Sequence, residues 1–506
     1  MKYGFLTILI LSVSFISLLA QNHKYILRYG ADAESGAPYV FQDPKDPKHL
    51  IGFEVDLINA IAEDLGMKAV HVQNEWDGLI MGMERNDYDI AINGLEITPD
   101  REEKVNFSIP YYLTYEQIAI RRDQEGINTL SDLIGKKVGT LNNSLAERIL
   151  RAKGGIDVRG YTDEDKSYND LEYGRLDAVL IDQPVALYYA GWNPQLKLTG
   201  QPIGEISYGI VLRKSDTLLL NKINRSIEKL KKSGKLRTIL EKWNLWNFMM
   251  ESYLDDHTES NDPHTAYQEY LATQGQTTTF MTLMKRYISF LPMFGEAALV
   301  TLSISIVAML VAVFVGLIVV LLRVYAPNPL SKLATLYIET IRGTPLLVQL
   351  YFIYYALPVI PYIGVRISPF VAAVLGLGLN YAAYEAENYR AGLFSVPRGQ
   401  MEAAISLGMT RNQALRHIIL PQAFRFVIPP MTNDFISLLK DSSLVSVITM
   451  VELTRVYNQI GATYFDYLGP GILVAVIYLL IGLPFIRLAR VAERKYTYDK
   501  RKIIKR

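Results

Sequence analysis

The sequence predicts a multidomain protein in which an α/β part is followed by an all-α membrane part. Residues 1–285 contain 31 Lys and Arg against 40 Asp and Glu, a net charge of −9, whereas residues 286–506 contain 21 against 11, a net charge of +10. In the first part, β-rich runs alternate with helical patterns, which is typical of βαβ units. In the second part, uncharged runs reach 26 residues, enough to cross a bilayer that needs about 20. A uniform globular enzyme would not divide its charge in this way.

The composition excludes several classes of function. Cysteine is absent from the 506 residues, which excludes disulfides, thiolate metal sites, cysteine nucleophiles and a lipid-modified N-terminal cysteine. We predict no metal site and no cofactor on this chain. The first part has no basic patch with interleaved aromatic residues, so nucleic acid is not an expected partner. No Ser/His/Asp arrangement has catalytic spacing, so the chain itself is not expected to be an enzyme.

The N-terminus has the pattern of an export signal. Lys2 precedes an apolar stretch, Phe5–Leu19, that ends at Ala20. A charged start, a short apolar core and a small residue at the end predict a signal peptide over 1–20. The alternative is an uncleaved membrane anchor, and in both cases the part that follows is exported.

Residues 24–250 are predicted to form the α/β part. Short β-rich runs predict strands at Tyr25–Tyr29, Tyr88–Ile92, Lys137–Leu141 and Ala178–Ile181. Helical patterns predict helices at Gly52–Leu65 and Ala146–Lys153. Glu54 and Asp56 lie in the first turn of the earlier helix, where acidic residues suit the positive end of the helix dipole.

Several motifs in this part occur in a recognisable order. They are GFEVDLINAIAEDL at 52–65, WDGLI at 76–80, NGLEITPDREEKVNFS at 93–108, GKKVGTLNNSLAERIL at 135–150 and DAVLIDQP at 177–184. Their order and spacing resemble bacterial extracellular receptors for polar amino acids over roughly 225 residues. The resemblance implies a two-lobed fold of the periplasmic-binding-protein type, with the chain crossing between lobes near Tyr112–Ile120 and returning near Ile206–Val211.

The resemblance also implies how a zwitterionic amino acid would bind. Arg101 matches the position that clamps an α-carboxylate, for which a planar guanidinium is suited, and Asp182 matches the partner of the α-ammonium. Backbone amides near Gly94 and around Asn143 and Ser144 are expected to add donors to the carboxylate. The alternative for Arg101 and Asp182 is a surface ion pair.

Four further residues concern the ligand. Tyr39 and Trp76 match aromatic positions that sandwich it, with ordinary lobe core as the alternative. Glu96 replaces a small hydroxyl residue that helps to bind the carboxylate, so it must be protonated, turned away or paired, or else point to solvent. Asp32 matches a contact to the ligand side chain. Two carboxylates near the pocket favour a glutamine-like or basic amino acid over an acidic one.

Residues 251–285 are predicted to be a linker. They are polar, acidic and rich in Thr, Gln, Asp and Asn, with a short helical piece expected at Ala266–Thr273. A flexible linker would let the receptor dock and undock. The alternative is a surface extension of the last receptor helix.

Residues 286–495 are predicted to be a five-helix membrane domain. Four uncharged runs predict spans at Ala297–Leu322, Gly343–Val365, Ile367–Tyr384 and Tyr467–Ile486. A fifth, Phe426–Val451, contains Asp434, Lys440 and Asp441 and is expected to be buried in the bundle. With the receptor outside the cell membrane, five spans put the basic tail at 496–506 in the cytoplasm, as Lys and Arg in the flanks require.

An inner loop carries the most specific motif in the chain. Glu402, Ala403 and Ala404, followed by Gly408 and then by Ile418, Leu420 and Pro421, reproduce EAA-x3-G-x9-I-x-L-P. This spacing resembles the cytoplasmic coupling loop of ATP-binding-cassette importer permeases, of the histidine and glutamine type. A helix, a turn at Gly408 and a second helix ending at Pro421 would seat in a groove of an ATPase. The alternative is an amphipathic helix on the inner leaflet.

The resemblance implies partners. The Gly-Lys pairs of this chain lack the other residues of a P-loop, so ATP and Mg²⁺ are expected on a separate ATPase. One coupling loop per chain implies a homodimer with two ATPase subunits. The combined prediction is a receptor and permease subunit of an importer for polar amino acids. The alternative is a ligand-gated channel of the glutamate-receptor type, which shares the binding fold but interrupts it with membrane segments.

Overall fold

The computed structural model describes residues 26–496, except residues 35, 261, 275–279, 361–364, 366 and 465. The predicted signal peptide at 1–20 and nearly all of the predicted tail at 496–506 lie outside the described residues. The chain forms two compact units, Met1–Thr279 with Gln459–Asp466, and Phe280–Asn458 with Tyr467–Arg506.

The first lobe of the first unit is built on a five-stranded sheet. Its strands are β1 (Ile26–Ala31), β4 (Lys68–Gln73), β5 (Ile90–Ala91), β6 (Asn106–Phe107) and β12 (Val211–Leu212), in the order β4-β1-β5-β12-β6. A hairpin of β2 (Phe41–Asp43) and β3 (Asp46–Ile51) precedes α1 (Phe53–Asp64), and α2 (Leu79–Glu84) and α3 (Pro99–Glu102) follow. β1 runs parallel to β4 and β5, and β12 runs antiparallel to its neighbours.

The second lobe is built on another five-stranded sheet. Its strands are β7 (Tyr112–Arg121), β8 (Lys137–Leu141), β9 (Asp157–Tyr161), β10 (Ala178–Asp182) and β11 (Leu196–Tyr208), in the order β11-β7-β10-β8-β9. The helices are α4 (Leu145–Lys153), α5 (Glu164–Glu172) and α6 (Gln183–Tyr189). The chain enters this sheet between β6 and β7 and leaves it between β11 and β12. The two crossings lie where the resemblance put them, and each strand and helix predicted within 24–250 is present, with its described ends shifted by at most two residues.

The segment after the second lobe does not behave as a free linker. Helices α7 (Thr217–Lys232), α8 (Lys235–Lys242) and α9 (Phe248–Leu254) are followed by α10 (Thr265–Gln274). Tyr267 and Tyr270 on α10 are buried in the receptor core. The boundaries 251 and 285 stay a prediction, but the predicted flexibility is wrong for 265–274, because two tyrosines in a polar sequence anchor the helix.

The second unit is helical throughout its described length. Its elements are α11 (Phe280–Tyr325), α12 (Asn328–Gly343), α13 (Leu346–Tyr351), α14 (Pro369–Ser395), α15 (Arg398–Ser406), α16 (Arg411–Ala414), α17 (Leu420–Asp441), α18 (Leu453–Tyr464), which belongs to this unit as far as Asn458, and α19 (Leu468–Tyr496). Its core lies between α11, α14 and α17, where Ile304, Leu377 and Leu438 are buried together. A Cβ atom added at Gly378 would lie 2.8 Å from Cγ1 of Val311, so glycine lets α11 and α14 pack closely.

Two helices among the described residues are long and apolar enough to span a membrane, Met281–Tyr325 and Leu468–Val491. The first contains the predicted span Ala297–Leu322, and the second covers the predicted span Tyr467–Ile486 except for Tyr467. The predicted span Gly343–Val365 is interrupted: α13 follows Pro345, then a π-helical turn covers Phe352–Ala356 and a 3-10 turn covers Leu357–Val359. The prolines and the changes of helical period prevent one continuous α-helix there. The count of five spans stays a prediction.

Candidate functional site

The cleft between the two lobes is closed by direct contacts. The backbone N–H of Leu145 on α4 donates to Oε1 of Glu96 at 3.0 Å. The guanidinium of Arg101 donates to the carbonyl oxygen of Asn143 at 3.3 Å. The hydroxyl of Tyr39 donates to Oδ2 of Asp182 at 3.3 Å. These contacts bring predicted ligand-binding residues of both lobes into one site.

Arg101 is held by Glu96. The Arg101 side chain is 12% exposed and its Nη1 makes an ion pair and hydrogen bond with the Glu96 carboxylate. The guanidinium carbon lies 5.2 Å from the centre of the Trp76 ring, a cation–π contact. Glu96 is buried, so the solvent-facing alternative is wrong and the paired alternative describes it. The Arg101–Glu96 pair lies at the interface between the lobes and not on the surface. The short helix α3 places the Arg101 side chain next to the loop that contains Glu96.

Asp182 lies at the end of β10 and is almost fully buried. Oδ2 accepts hydrogen bonds from the hydroxyls of Tyr39 and Tyr208, which are themselves 2.9 Å apart. Burial, followed by the negative charge of Glu96, raises the pKa of Asp182. The ring centres of Tyr39 and Phe53 are 5.6 Å apart in the lobe core, a placement that was the alternative predicted for Tyr39 from the sequence. The hydroxyl group is the part of Tyr39 that reaches Asp182.

Three backbone amides near the cleft have partners within the protein. The amide of Gly94, at φ +59°, donates to Oε1 of Glu54 at 2.8 Å, and its predicted contact with a substrate carboxylate stays a prediction. The amide of Asn143 donates to Glu147 at 2.7 Å, and the hydroxyl of Ser144 caps α4. Leu145, which the sequence did not single out, supplies the amide that faces the cleft.

Asp32 and Trp76 form one hydrogen-bonded unit. Oδ2 of Asp32 accepts from the Trp76 backbone N–H at 3.1 Å, and Oδ1 accepts from Gln73 at 2.8 Å. The indole N–H of Trp76 donates to the carbonyl of Asn93 at 2.9 Å. These bonds hold the ring of Trp76 beside Arg101. The ligand contacts predicted for Asp32, Trp76, Asn143 and Ser144 stay predictions.

Glu116 is a fully buried carboxylate that sequence reasoning missed. It lies on β7, directly opposite Asp182 of β10 in the antiparallel pair. Burial, followed by the charges of Asp182 and Glu96, raises the pKa of Glu116 well above its usual range. A carboxylate in the interior of the crossing strand was the signal that could have identified it.

The coupling-loop motif forms a helix, a turn and a second helix. α15 ends at Ser406 and Gly408 follows with φ +86°, a backbone conformation that glycine adopts without strain. Glu402 and Ala403 are exposed and Ala404 is buried. The second helix does not end at Pro421, as predicted; a π-helical turn at Leu415–Ile419 leads into α17, and Pro421 lies in the first turn of α17.

The fold and the motifs together define a solute receptor joined to a transport component of the membrane. Residues 27–245 match the family model of bacterial extracellular solute-binding proteins, family 3, and residues 308–498 match that of the binding-protein-dependent transport system inner membrane component. The chain belongs to the amino acid importers of the ATP-binding-cassette class, as a fusion of their solute-binding and permease domains.

Three relatives illustrate the two halves. The L-cystine transport system permease protein TcyB of Bacillus subtilis (strain 168) is 41% identical over 208 residues, 41% of this chain and 88% of the relative. The glutamine transport system permease protein GlnP of Escherichia coli (strain K12) is 39% identical over 205 residues, 40% of this chain and 93% of the relative. The L-cystine-binding protein TcyJ of the same strain is 36% identical over 209 residues, 41% of this chain and 78% of the relative. None of these similarities supports the ligand-gated channel.

Proposed function

We propose that the cleft binds a polar amino acid, glutamine-like or basic, through its α-carboxylate and α-ammonium groups. Arg101 receives the carboxylate and Asp182 the ammonium. The observation that carries the proposal is the Glu96 carboxylate, which contacts both the Arg101 guanidinium and the Leu145 amide. A substrate carboxylate requires these same two donors and competes with Glu96 for them. Relatives named for L-cystine and glutamine support a polar amino acid as the ligand.

The binding assignment is tested by calorimetry on the full-length chain in detergent. Removing one partner of a desolvated charge pair costs about 2–5 kcal/mol, so Arg101→Ala should weaken amino acid binding at least about thirtyfold. Arg159→Ala is the matched control, because Arg159 is exposed on β9 and pairs only locally with Asp157. Near-native affinity in Arg101→Ala would refute the assignment.

The permease half is proposed to couple the receptor to a separate ATPase that holds ATP and Mg²⁺. Glu402, Ala403 and Ala404 would present the docking helix and Gly408 the turn. The exposure of Leu407, at 84%, supports a protein partner on this face. In liposomes with the ATPase, Gly408→Trp or Glu402→Lys should abolish transport while amino acid binding stays intact. Ser406→Ala is the control on the same helix, and transport that survives Gly408→Trp would contradict the proposed coupling role of this loop.

We also propose a membrane topology for the chain and a stoichiometry for its complex with the ATPase. The receptor domain at 24–250 is extracytoplasmic, five spans follow within 286–495, the tail is cytoplasmic, and two chains assemble with two ATPase subunits. Because the chain lacks cysteine, single-cysteine variants report sidedness directly. An impermeant maleimide should label Thr258→Cys in intact cells and leave Ser406→Cys unlabelled.

Native mass measurement of the purified complex should give two copies of this chain and two of the ATPase subunit. A single copy of this chain would refute the homodimer.

A further inference from the structure

Glu116 is a buried acid for which the proposed binding mode has no use. Its side chain is 0% exposed, on a strand that links the two lobes. Neither carboxylate oxygen has a hydrogen-bond partner among the described residues. The neighbouring carboxyl group of Asp182 adds to the rise of the Glu116 pKa, and the backbone N–H of Ala146 opposes it.

Strand register directs Glu116 into the cleft. Residues directly opposite each other in an antiparallel pair project on the same side of the sheet, with Cβ atoms about 4.5–5.5 Å apart. Glu116 is directly opposite Asp182, whose carboxylate accepts hydrogen bonds from Tyr39 of the facing lobe and from Tyr208 at the end of β11. The Glu116 side chain therefore projects to the side where the lobes meet.

The charges around Glu116 are unbalanced. The acidic groups that raise its pKa are Asp182 and Glu96, and the phenol groups of Tyr39, Tyr168 and Tyr208 are buried beside this cluster. Arg101 is the cation identified at this site, and Glu96 already pairs with it. A zwitterionic ligand adds no net charge, so it would leave an excess of negative charge in the closed cleft.

An uncompensated carboxylate in the interior is costly, because burial removes the water that stabilises its charge. An apolar side chain in the same strand would avoid that cost. Two groups can offset it: a proton, shared with the adjacent Asp182, or a cation brought by the ligand. In the first case the proton neutralises one of the two carboxylates before the ligand arrives, and in the second the cation of the ligand displaces the proton.

We propose that Glu116 is a specificity residue that selects amino acids with a cationic side chain, an ammonium or a guanidinium. The inference rests on the proposed function of the cleft and deepens it by naming the substrate class. Asp182 and Glu116 together provide negative charge for two cationic groups, the α-ammonium and the side-chain cation. A ligand whose single cationic group is its α-ammonium leaves Glu116 protonated, and Glu116 then adds nothing to the affinity for that ligand.

The test is calorimetry on the full-length chain at fixed pH and salt with L-arginine, L-lysine and L-glutamine as probes. The native chain should bind the two basic amino acids at least about tenfold more tightly than glutamine. Glu116→Gln, which keeps the side-chain volume, should lower affinity for the basic amino acids at least about tenfold and change glutamine affinity less than about threefold. Glu228→Gln, an exposed glutamate on α7, is the control.

Glu116→Asp keeps the charge and should retain the preference for basic amino acids. A preference unchanged by Glu116→Gln overturns the inference and assigns Glu116 a shared proton only, while the proposed amino acid binding stands. A native chain that prefers glutamine overturns it equally. If neither variant folds, Glu116 is structural and the inference fails. Absence of binding by the native chain to all three probes refutes the proposed function itself.

Discussion

Tyr270 should anchor helix α10 to the receptor, and its removal should release the segment. The Tyr270 side chain is 5% exposed, with its ring centre 4.8 Å from that of Tyr188 and 5.9 Å from that of Phe41. Its hydroxyl donates to the carbonyl oxygen of Tyr188 at 2.9 Å. Truncating a buried aromatic residue to alanine costs about 3–5 kcal/mol. The loss should appear locally, because α10 is one peripheral helix of the receptor.

Hydrogen–deuterium exchange on the full-length chain measures this local stability. A loss of about 3–5 kcal/mol corresponds to exchange at 265–274 that is faster by at least about a hundredfold in Tyr270→Ala. Tyr270→Phe should give a smaller increase, since a net hydrogen bond contributes about 1 kcal/mol. Tyr173→Ala is the control, because Tyr173 is 70% exposed. Strand β8 should not change in any variant.

Two outcomes would refute the reasoning. Unprotected exchange at 265–274 in the native chain would mean that the segment is a flexible linker after all. A change of less than about threefold in Tyr270→Ala would mean that the aromatic contacts do not hold α10.

Two further predictions concern buried carboxylates of the receptor. Burial raises the pKa of Glu54 to about 8, so between about pH 4 and pH 8 the folded protein holds a proton that the unfolded chain has released. Glu54 thus makes the free energy of unfolding fall as pH rises through this range, by up to about 1.4 kcal/mol per pH unit. Urea denaturation should therefore show a shallower dependence of stability on pH in Glu54→Gln than in the native chain. Parallel curves of stability against pH for the two proteins would contradict the raised pKa. Glu96→Gln removes a competitor for Arg101 and should raise glutamine affinity in calorimetry, whereas a tenfold loss would show that Glu96 itself binds the ligand.

The elements and the residue types of the site were predictable because they depend on local patterns. α1 follows from apolar spacing with acids in its first turn, and β8 from a short β-rich run before Asn142. Arg101 and Asp182 were found through motifs, each of which occupies a short stretch of the chain. Leu145 was not predicted from the sequence. Side chains near a helix N-terminus occupy some of its backbone amides, and the sequence does not show which amide is left to face the cleft.

The connections between distant residues were not predictable. The Gly94 amide is taken by Glu54, 40 positions away, and Tyr270 hydrogen-bonds Tyr188, 82 positions away. Glu116 looked like one charge in a strand until the register with Asp182 showed which way it points. None of these pairs shares a motif or a helical period.

The sequence by itself determined the order of receptor and permease, the strands and helices of both lobes, and the motif of the coupling loop. It did so because hydrophobic period, turn residues and charge distribution act over a few neighbouring positions. The tertiary structure alone decided that Glu96 pairs with Arg101, that α10 belongs to the receptor core, and that Glu116 faces Asp182. Those outcomes depend on strand register and lobe closure, which bring together groups far apart along the chain and set the burial that decides their charge.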